Sequence, residues 1–551
     1  MTTATGRVRA PELRGAGGWI NTDIALSLRD LRGRVVVLDF WTFCCINCLR
    51  VVEELRNLEQ RFGDRLVVIG VHSPKFPHEA DHAAVVRAVA RHRLDHPVLD
   101  DPDLETWQQY GVRAWPTLVV IDPDGYVVAM ASGEGNGQAL GGVIERLLEG
   151  RDDLAVGAAF APSARRSESA LAFPGKVASD GADRIAIADT GHDRVLVCDL
   201  DGHVLHTFDG FHQPQGIRFD GVRLLVCDTV AGEVVAVAIL GGGRQAIASG
   251  LHSPWDCVRL EDGRIAIAEA GLHRIVAVAG DGGPPHPIAG TGAEGLRDGP
   301  AASAHLAQPS GLALLPGDAL AFADSEVSAL RVLRDGSVET LVGHGLFEWG
   351  SADGDRTSAR LQHPLGVAAI ADGSLAVVDT FNSLLRIWDR GTLRTLTLSE
   401  PLDEPGGLAL LPDGRLLVAD TNHHRVVVVE ISTGTVVEIP VGAPTLPGLP
   451  APPLSGAPGA AVHVRASVDL GGADLDLAQG PPVHVNVSAD PPNLLGNGPR
   501  SWALATLPVD LELRLGNPGS GVLVVDVIAS TCSGDVCTVV RATREHQLTV
   551  A

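Results

Sequence analysis

Residues 39–48 read Asp39-Phe40-Trp41-Thr42-Phe43-Cys44-Cys45-Ile46-Asn47-Cys48. The first three residues continue an apolar run that starts at Val35, and such a short β-branched run predicts a buried parallel strand. Apolar residues then recur at spacings of three and four as far as Phe62, which predicts a helix starting near Cys45. The stretch therefore predicts an α/β domain over residues 1–150 with a Cys-x-x-Cys pair where a buried strand meets a helix.

The place of the two cysteines at a helix start indicates redox chemistry. Free N–H groups and the helix dipole favour a thiolate over a thiol at this position. Cys45 is predicted to be the nucleophile, and Cys48, one turn further on, to be the thiol that resolves a mixed disulfide. A zinc site or an inert buried pair is the alternative, although no second Cys or Cys/His pair lies near in sequence to complete four ligands.

A second motif lies 70 residues after Cys45, where Trp115-Pro116-Thr117 precedes an apolar strand. Together with the strand and the cysteine pair, this motif resembles the thioredoxin superfamily. The resemblance implies that Pro116 is a cis-proline that faces the dithiol. It also implies that Asp39 is the buried carboxylate that assists proton transfer near Cys48.

Two positions depart from the thioredoxin pattern. Cys44 stands where the family usually has a tryptophan, and Ile46-Asn47 replaces the common Gly-Pro. The direction of electron transfer is therefore left open. As a third thiol, Cys44 is either an accessory redox group that forms an alternative disulfide or a small buried residue, and the sequence does not separate the two.

Residues 168–440 repeat, with a proline in a turn and an acidic residue at the end of an apolar strand as markers. The prolines are Pro174, Pro214, Pro254, Pro309, Pro364 and Pro405, and the acids are Asp189, Asp228, Glu269, Asp324, Asp379 and Asp420. Both markers count six units at a period of about 40 residues, which predicts a six-bladed β-propeller. The units resemble NHL repeats, as in Asp420-Thr421-Asn422-His423-His424-Arg425-Val426.

Histidines and arginines follow the acids of these units. His192, His423 and His424 are candidate metal ligands, but they stand where each repeat has a polar turn residue. Arginines five residues after the acid predict structural ion pairs instead; they are Arg194, Arg274 and Arg425. The cysteines inside apolar strands, Cys198, Cys227 and Cys257, are predicted to be core residues.

A proline-rich stretch separates the repeats from the C-terminal region. Seven prolines lie between Pro440 and Pro458, which predicts a stiff linker over residues 441–460. Beyond it, patterns of period two predict a small antiparallel, sandwich-like β domain over residues 461–551.

The C-terminal β domain holds a second pair of cysteines. Cys532 and Cys537 are spaced for a hairpin in which the two sulfurs meet. Short stretches here are similar to the N-terminal domain of the transmembrane thiol:disulfide interchange proteins. That similarity implies an accessory redox role for the pair.

Composition limits the partners. The chain has 43 Lys and Arg against 67 Asp and Glu, a net charge of −24, which disfavours nucleic acids and anionic membranes. Neither a signal peptide nor an apolar run long enough for a membrane helix is found, so we expect a cytoplasmic protein. The sequence predicts no bound cofactor and no metal.

The order of the three regions resembles the NHL repeat-containing protein 2 family, so a multidomain chain is expected. We expect a thiol-disulfide oxidoreductase that acts on a protein client, with the propeller as a binding platform and a reductant as second partner. The alternative is a non-catalytic scaffold. A propeller lyase is disfavoured, because the repeats hold no convincing His/Asp metal constellation.

Overall fold

The apolar run that begins at Val35 forms the central strand of a seven-stranded sheet. The strands are, in chain order, Thr2–Arg9 (β1), Gly18–Ile20 (β2), Val35–Trp41 (β3), Leu66–His72 (β4), Val98–Asp100 (β5), Thr117–Ile121 (β6) and Tyr126–Ser132 (β7). Across the sheet they follow the order β1-β7-β6-β3-β4-β5-β2, with β3 parallel to β4 and antiparallel to β6. Every residue of β3 is buried, because helical segments cover both faces of the sheet.

The α-helices described in this region are Ile46–Phe62 (α1), His82–Arg91 (α2), Glu105–Gln109 (α3) and Gly137–Leu148 (α4). Helices α1 and α4 pack on one face of the sheet, and α3 packs on the other. The apolar pattern of residues 78–93 predicts one helix, but the structure has two elements there, a 3-10 turn at Pro77–Ala80 and α2. Between them Asp81 has an extended backbone and caps α2 with its side chain. No helix in the described part of the chain is long and apolar enough to span a bilayer.

The structure is a computed structural model. It describes residues 2–151, 169–239, 242–370, 373–442, 451–466, 474–475, 483–498, 500–506, 508–533 and 536–551. By its contacts the chain divides into two units, Met1–Gly442 and Ala443–Ala551. The first unit contains both the thioredoxin-like region and the repeats, which the sequence presents as separate domains.

Within the described residues, the repeats form six antiparallel sheets that follow one another along the chain. Sheet 1 consists of Val177–Ser179, Arg184–Asp189, Arg194–Asp199 and Val204–Asp209. Sheet 2 consists of Pro214–Asp220, Arg223–Asp228, Glu233–Ala238 and Arg244–Ala248. Sheet 3 consists of Pro254–Arg259, Ile265–Glu269, Arg274–Val278 and His286–Ala289. Sheet 4 consists of Gly299–Pro300, Pro309–Leu315, Ala319–Asp324, Ala329–Arg334 and Ser337–Val342. Sheet 5 consists of Gly354–Asp355, Gly366–Ala369, Leu375–Asp379, Leu384–Asp389 and Thr392–Thr395. Sheet 6 consists of Gly407–Leu410, Leu416–Asp420, Arg425–Val429 and Val436–Ile439. The recurring acids all end a strand, as the repeat pattern predicts.

Neighbouring sheets pack against each other through one strand of each sheet. The strands that start at Val177, Pro214, Pro254, Pro309, Gly366 and Gly407 each pack against the next, and the last packs against the first. The region is therefore propeller-like.

Sheets 4 and 5 carry a fifth strand of two residues. It comes from an extra segment, because the acids of these two sheets follow the preceding acid by 55 residues, against 39 to 41 in the other steps. In these sheets the acid pairs at 2.7 Å with an arginine seven residues further on, and not five. The two pairs are Asp324–Arg331 and Asp379–Arg386. Each arginine is fully buried and also binds an aspartate of the extra segment, so the insertion is anchored by charge.

Charged side chains cross the centre of the propeller-like region. Lys176, which directly precedes the first strand of sheet 1, donates to the carbonyl of Leu365, which directly precedes Gly366–Ala369 of sheet 5, at 2.6 Å. Arg218 in sheet 2 donates to Asp256 of sheet 3 at 3.0 Å and to the Leu312 carbonyl of sheet 4 at 2.7 Å. Burial lowers the pKa of Lys176 to about 8, although the Asp256 charge opposes this shift. These groups join five of the sheets through buried polar contacts.

The second unit is built from strands, and the described ones are Ala451–Gly456, Ala461–Ala466, Asp474–Leu475, Val483–Asp490, Ser501–Leu504, Val509–Arg514, Gly519–Ser533 and Val536–Val550. Burial alternates along Val483–Asp490, as the period-two pattern predicts. The linker predicted over 441–460 is too long, because Ala451–Gly456 pairs in parallel with Val536–Val550. The pairing register breaks at Pro452 and Pro453, which lack the N–H that a strand ladder uses. Residues 443–450 of that linker lie outside the described residues.

Candidate redox site

Cys45 is the N-cap of α1. Its backbone is extended, and its sulfur accepts a hydrogen bond from the Cys48 N–H at 3.2 Å. Sulfur here takes the place of the oxygen that usually caps a helix. The structure thus brings Cys45 and Cys48 together at the helix start, where the dipole favours negative charge on a side chain.

All three thiols of the cysteine turn are buried and free. Cys44 is 2% exposed, Cys45 is 6% exposed and Cys48 is fully buried. Burial, followed by the hydrogen bond with Cys45, raises the pKa of Cys48 well above its ordinary value. Burial also raises the pKa of Cys44, and the charges of Glu326 and Glu79 add to this effect. The outer sulfur of the pair is therefore that of Cys45.

Asp39 lies in the middle of β3 with no exposed surface. Neither of its carboxylate oxygens has a hydrogen-bond partner. Burial raises its pKa to about 7, against an opposing contribution from His96. The Asp39 charge also contributes to the raised pKa of Cys48, so the two groups lie within electrostatic reach of each other. A carboxyl group with this pKa changes its protonation state near neutral pH.

Pro116 lies at the same sheet edge as the cysteine turn. Thr117 pairs with Phe40, so the residue before it reaches the end of β3. The Trp115–Pro116 peptide bond is cis, as the thioredoxin resemblance implies. The Trp115 indole N–H donates to the Ser73 carbonyl at 2.8 Å, and the ring packs against the apolar cluster that holds the thiols.

Glu79 is a site residue that the sequence reading did not identify. It is fully buried, and one of its oxygens accepts the Thr42 hydroxyl at 2.6 Å and the Cys44 N–H at 2.8 Å. The available signal was Pro77 followed by an acid, since a Glu in the third position of a helical turn often binds the backbone before it.

The propeller-like region covers the start of α1 with apolar contacts. The ring of Phe43 lies 5.4 Å from that of Phe381, centroid to centroid. Ile46 packs against Trp255, and its N–H donates to the side-chain oxygen of Gln308 at 3.3 Å. The low exposure of Cys45 follows from this coverage.

Buried ion pairs join the same two regions. Arg91 and His78 both contact Glu404 at 2.8 Å, and Lys75 pairs with Glu326. Burial would raise the pKa of Glu404, but the Arg91 charge and the His78 contacts outweigh it and lower that pKa to about 2. The contact between the regions thus depends on charges that are hidden from water.

Two cavities lie between the thioredoxin-like and propeller-like regions. The larger, of about 220 Å³, is lined by Leu49 and Glu53 of α1 and by Trp255 opposite them. The smaller, of about 50 Å³, is lined by Cys44 and Phe381, among others. Cys44 therefore faces the propeller-like region.

The histidines of the repeats are engaged with protein groups. His192 and His423 contact the acids Asp189 and Asp420 at 2.8 Å, and His424 accepts the Phe173 N–H at 3.0 Å. The predicted arginine pairs are confirmed at 2.5–2.9 Å; they are Arg194–Asp189, Arg274–Glu269 and Arg425–Asp420. A possible cation cluster in the described part of the chain, Asp199, Asp201 and His203, is held by hydrogen bonds within its own turn.

The other cysteines fall into two groups. Cys198, Cys227 and Cys257 are fully buried, which confirms them as core residues, and the last two belong to one apolar cluster. Cys532 and Cys537 are register partners on adjacent antiparallel strands, in keeping with the hairpin that their spacing predicts. Their side chains lie outside the described part of the structure.

Comparison with known proteins identifies relatives of both regions. A thioredoxin-like family model matches residues 33–127, and an NHL repeat model matches residues 402–429. NHL repeat-containing protein 2 from Bos taurus is 33% identical over an alignment of 568 positions, gaps included, that covers 84% of this chain and 78% of that protein. The protein of the same name from Gallus gallus is 35% identical over an alignment of 459 positions, gaps included, that covers 71% of this chain. The match spans 63% of the Gallus gallus protein's length.

The thioredoxin-like region has relatives of its own. A protein named Thiol-disulfide oxidoreductase ResA, from Halalkalibacterium halodurans, is 27% identical over 131 residues. These residues cover 23% of this chain and 64% of that protein. The thioredoxin-like region is therefore related to thiol-disulfide oxidoreductases.

Proposed function

Because this chain belongs to the NHL repeat-containing protein 2 family, we propose that it is a thiol-disulfide oxidoreductase whose propeller-like region serves as a platform for a protein client. Cys45 and Cys48 form the reacting dithiol, Asp39 moves the proton of Cys48, and Pro116 lies beside the bound client. The observation that carries the proposal is the pairing of Cys45 and Cys48 at the start of α1 above a buried carboxyl group of raised pKa.

The proposed reaction transfers two electrons through a mixed disulfide. The Cys45 thiolate attacks one sulfur of a client disulfide, and the other client sulfur leaves as a thiolate and takes up a proton. Cys48 gives its proton to Asp39 and attacks the Cys45 sulfur. The second client sulfur then leaves and is protonated, and a Cys45–Cys48 disulfide remains. A dithiol reductant restores the pair, and client oxidation follows the same steps in reverse.

The burial of Cys45 adds a requirement to this reaction. A client sulfur must approach in line with the bond that breaks, and a thiol that is 6% exposed does not allow this. In our proposal the client displaces contacts of the propeller-like region, such as those of Phe381, to reach Cys45. Cys44 then stands next to the mixed disulfide as an accessory thiol.

We also propose the finer organisation that the sequence predicts. The six sheets are the blades of a β-propeller, and the C-terminal unit is a sandwich-like antiparallel β domain whose Cys532 and Cys537 form an accessory redox pair. The proposed partners are a protein client and a reductant, in the cytoplasm. The net charge of −24 supports the expectation that nucleic acid and membrane are not partners.

Reduction of insulin disulfides by the full chain, with dithiothreitol as electron donor, tests the proposal. We expect precipitation of insulin to accelerate over the uncatalysed rate, and Cys45→Ser and Cys48→Ser to return it to that rate. Cys198→Ala, which removes a buried thiol of sheet 1, is the matched control and should keep the full rate.

The second candidate is a binding scaffold without turnover, and the burial of all three thiols favours it. If alkylation proves that Cys45 is reachable and no thiol donor supports insulin reduction, the scaffold replaces the oxidoreductase.

A further inference from the structure

The Glu79 carboxylate joins two segments of the thioredoxin-like region. One oxygen accepts from Thr42 and Cys44 in the cysteine turn. The other oxygen accepts the N–H groups of Lys75 and Phe76, at 2.9 and 3.0 Å. Each oxygen thus has two donors, and the side chain is fully buried. The cysteine turn and residues 75–76 are therefore connected through one side chain.

Residues 75 and 76 are also where the propeller-like region touches this part of the chain. The Phe76 ring lies 5.0 Å from the Trp349 ring and 5.6 Å from the Phe381 ring. Lys75 pairs with Glu326 and lies 3.8 Å from Glu294. A shift of the propeller-like region therefore also acts on the two residues whose backbone N–H groups bind Glu79, in addition to its direct contacts with Phe43 and Ile46.

We propose that Glu79 is a positioning residue that couples the docking of the propeller-like region to the geometry of the cysteine turn. When Phe76 leaves Trp349, the backbone at 75–76 moves, Glu79 follows it, and the Cys44 N–H loses its partner. The turn that holds Cys45 then relaxes, and its sulfur becomes accessible. The proposal deepens the proposed function, and it concerns the reactivity of Cys45 whether or not a client is turned over.

The coupling requires a group that only accepts hydrogen bonds. A glutamine of the same shape has one oxygen and one NH₂ group, so it can satisfy the pair at Thr42 and Cys44 or the pair at Lys75 and Phe76. The other pair would face the NH₂ group, and at least one buried N–H would then lack an acceptor, which is unfavourable. Glu79→Gln should therefore disconnect the two segments with little change of volume.

The test is a double-mutant cycle read by the alkylation rate of Cys45 in the reduced full chain, mapped by mass spectrometry. Trp349→Ala removes a contact of Phe76 and, among the aromatic contacts of the described residues, leaves that between Phe43 and Phe381 in place. We expect each of Trp349→Ala and Glu79→Gln to raise the rate by about fivefold, and the double variant to exceed neither by more than about twofold.

Asp101→Asn is the matched control. Asp101 is a buried carboxylate that accepts the N–H groups of Glu105, Thr106 and Trp107. We expect its effect on the Cys45 rate to multiply with that of Trp349→Ala. If Glu79→Gln does not fold, Glu79→Asp, which shortens the reach, replaces it with the same expectation.

Three results would overturn the coupling. The first is that the effects of Glu79→Gln and Trp349→Ala on the Cys45 alkylation rate multiply in the double variant. The second is that the effects of Asp101→Asn and Trp349→Ala fail to multiply to the same extent as those of the Glu79 pair. The third is that Cys45 is not alkylated in any variant. If the unaltered chain does not reduce insulin, the proposed oxidoreductase function is wrong. The coupling is not affected by that result, because it is measured by the alkylation rate of Cys45.

Discussion

The backbone N–H of Ile46 donates a 3.3 Å hydrogen bond to the side-chain oxygen of Gln308, which lies 262 residues further along the chain. Ile46 follows Cys45 directly and is the first residue of α1, so its N–H is one of the free donors of the helix start. The propeller-like region therefore occupies a backbone donor directly next to Cys45. Any reagent for this thiol has to compete with that contact.

Cys45 should be alkylated before Cys48 in the reduced protein. Cys48 is fully buried within the first turn of α1, and burial raises its pKa well above the ordinary value. Cys45 is the outer thiol and caps the helix. Iodoacetamide labelling across pH 6–9, with mapping by mass spectrometry, measures the order. Faster labelling of Cys48 would contradict the assignment of nucleophile and resolving thiol.

Asp39 should make the free energy of unfolding depend on pH. Its pKa is about 7 in the folded chain, against 3.8 for an ordinary Asp, so between these values the folded state holds a proton that the unfolded state releases. Stability therefore falls as pH rises through this window, by up to about 4 kcal/mol. Asp39→Asn should remove this dependence. Urea unfolding at pH 5 and pH 8, followed by tryptophan fluorescence, measures it, and parallel pH profiles for both proteins would refute the buried, unpartnered state of Asp39.

Arg91→Ala should uncover the dithiol. It removes a partner of the buried Glu404 carboxylate, and breaking a buried ion pair costs about 3–5 kcal/mol. The loss of the ion pair destabilises the contact between the two regions that covers Cys45. We therefore expect Cys45 to be alkylated at least about tenfold faster at pH 7.5. Arg113→Ala, at an exposed position of the same region, is the control and should leave the rate unchanged. An unchanged rate in Arg91→Ala would show that Glu404 does not hold the two regions together.

Lys176 should lower the free energy of unfolding of the protein below pH 8. Its pKa is lowered by burial to about 8 from 10.5, so between these values the unfolded state holds a proton that the folded state lacks. Stability gains from Lys176 as pH rises through this window, by up to about 3 kcal/mol. Urea unfolding measures the free energy of unfolding of Lys176→Met and of the unaltered chain. Relative to Lys176→Met, the unaltered chain should gain about 3 kcal/mol between pH 7.5 and pH 10.5. A constant difference would mean that Lys176 remains charged in the folded chain.

Cys532 and Cys537 should be found linked after mild oxidation. They are register partners on adjacent antiparallel strands, whose Cα atoms are generally about 4.5–5.5 Å apart, within the range that a disulfide spans. Nonreducing peptide mapping after treatment with oxidised glutathione detects the link. Two separately glutathionylated cysteines would contradict an accessory redox pair.

Several features of the fold could be predicted from the sequence because short-range rules decide them. The spacing of Cys45 and Cys48 follows from one helical turn, and the cap at Cys45 follows from the end of an apolar strand. The strand ends at the recurring acids, and the arginines five residues after three of them, follow from a hairpin that returns on itself. In sheets 4 and 5 the arginine comes seven residues on, because the inserted segment supplies a second aspartate.

The closure of the site was decided by the tertiary structure. Phe43 meets Phe381, Lys75 meets Glu326 and Arg91 meets Glu404, all at separations of more than 250 residues. Such contacts leave no period and no spacing in the sequence, since they depend on how the propeller-like region packs against α1 and α2. Glu79 lies closer in sequence to its partners, but its role depends on two pairs of donors, at residues 42 and 44 and at residues 75 and 76, that the fold brings to one buried carboxylate. The sequence by itself determined the dithiol and its helix, because both are local; only packing over a long chain separation decided that the dithiol is covered.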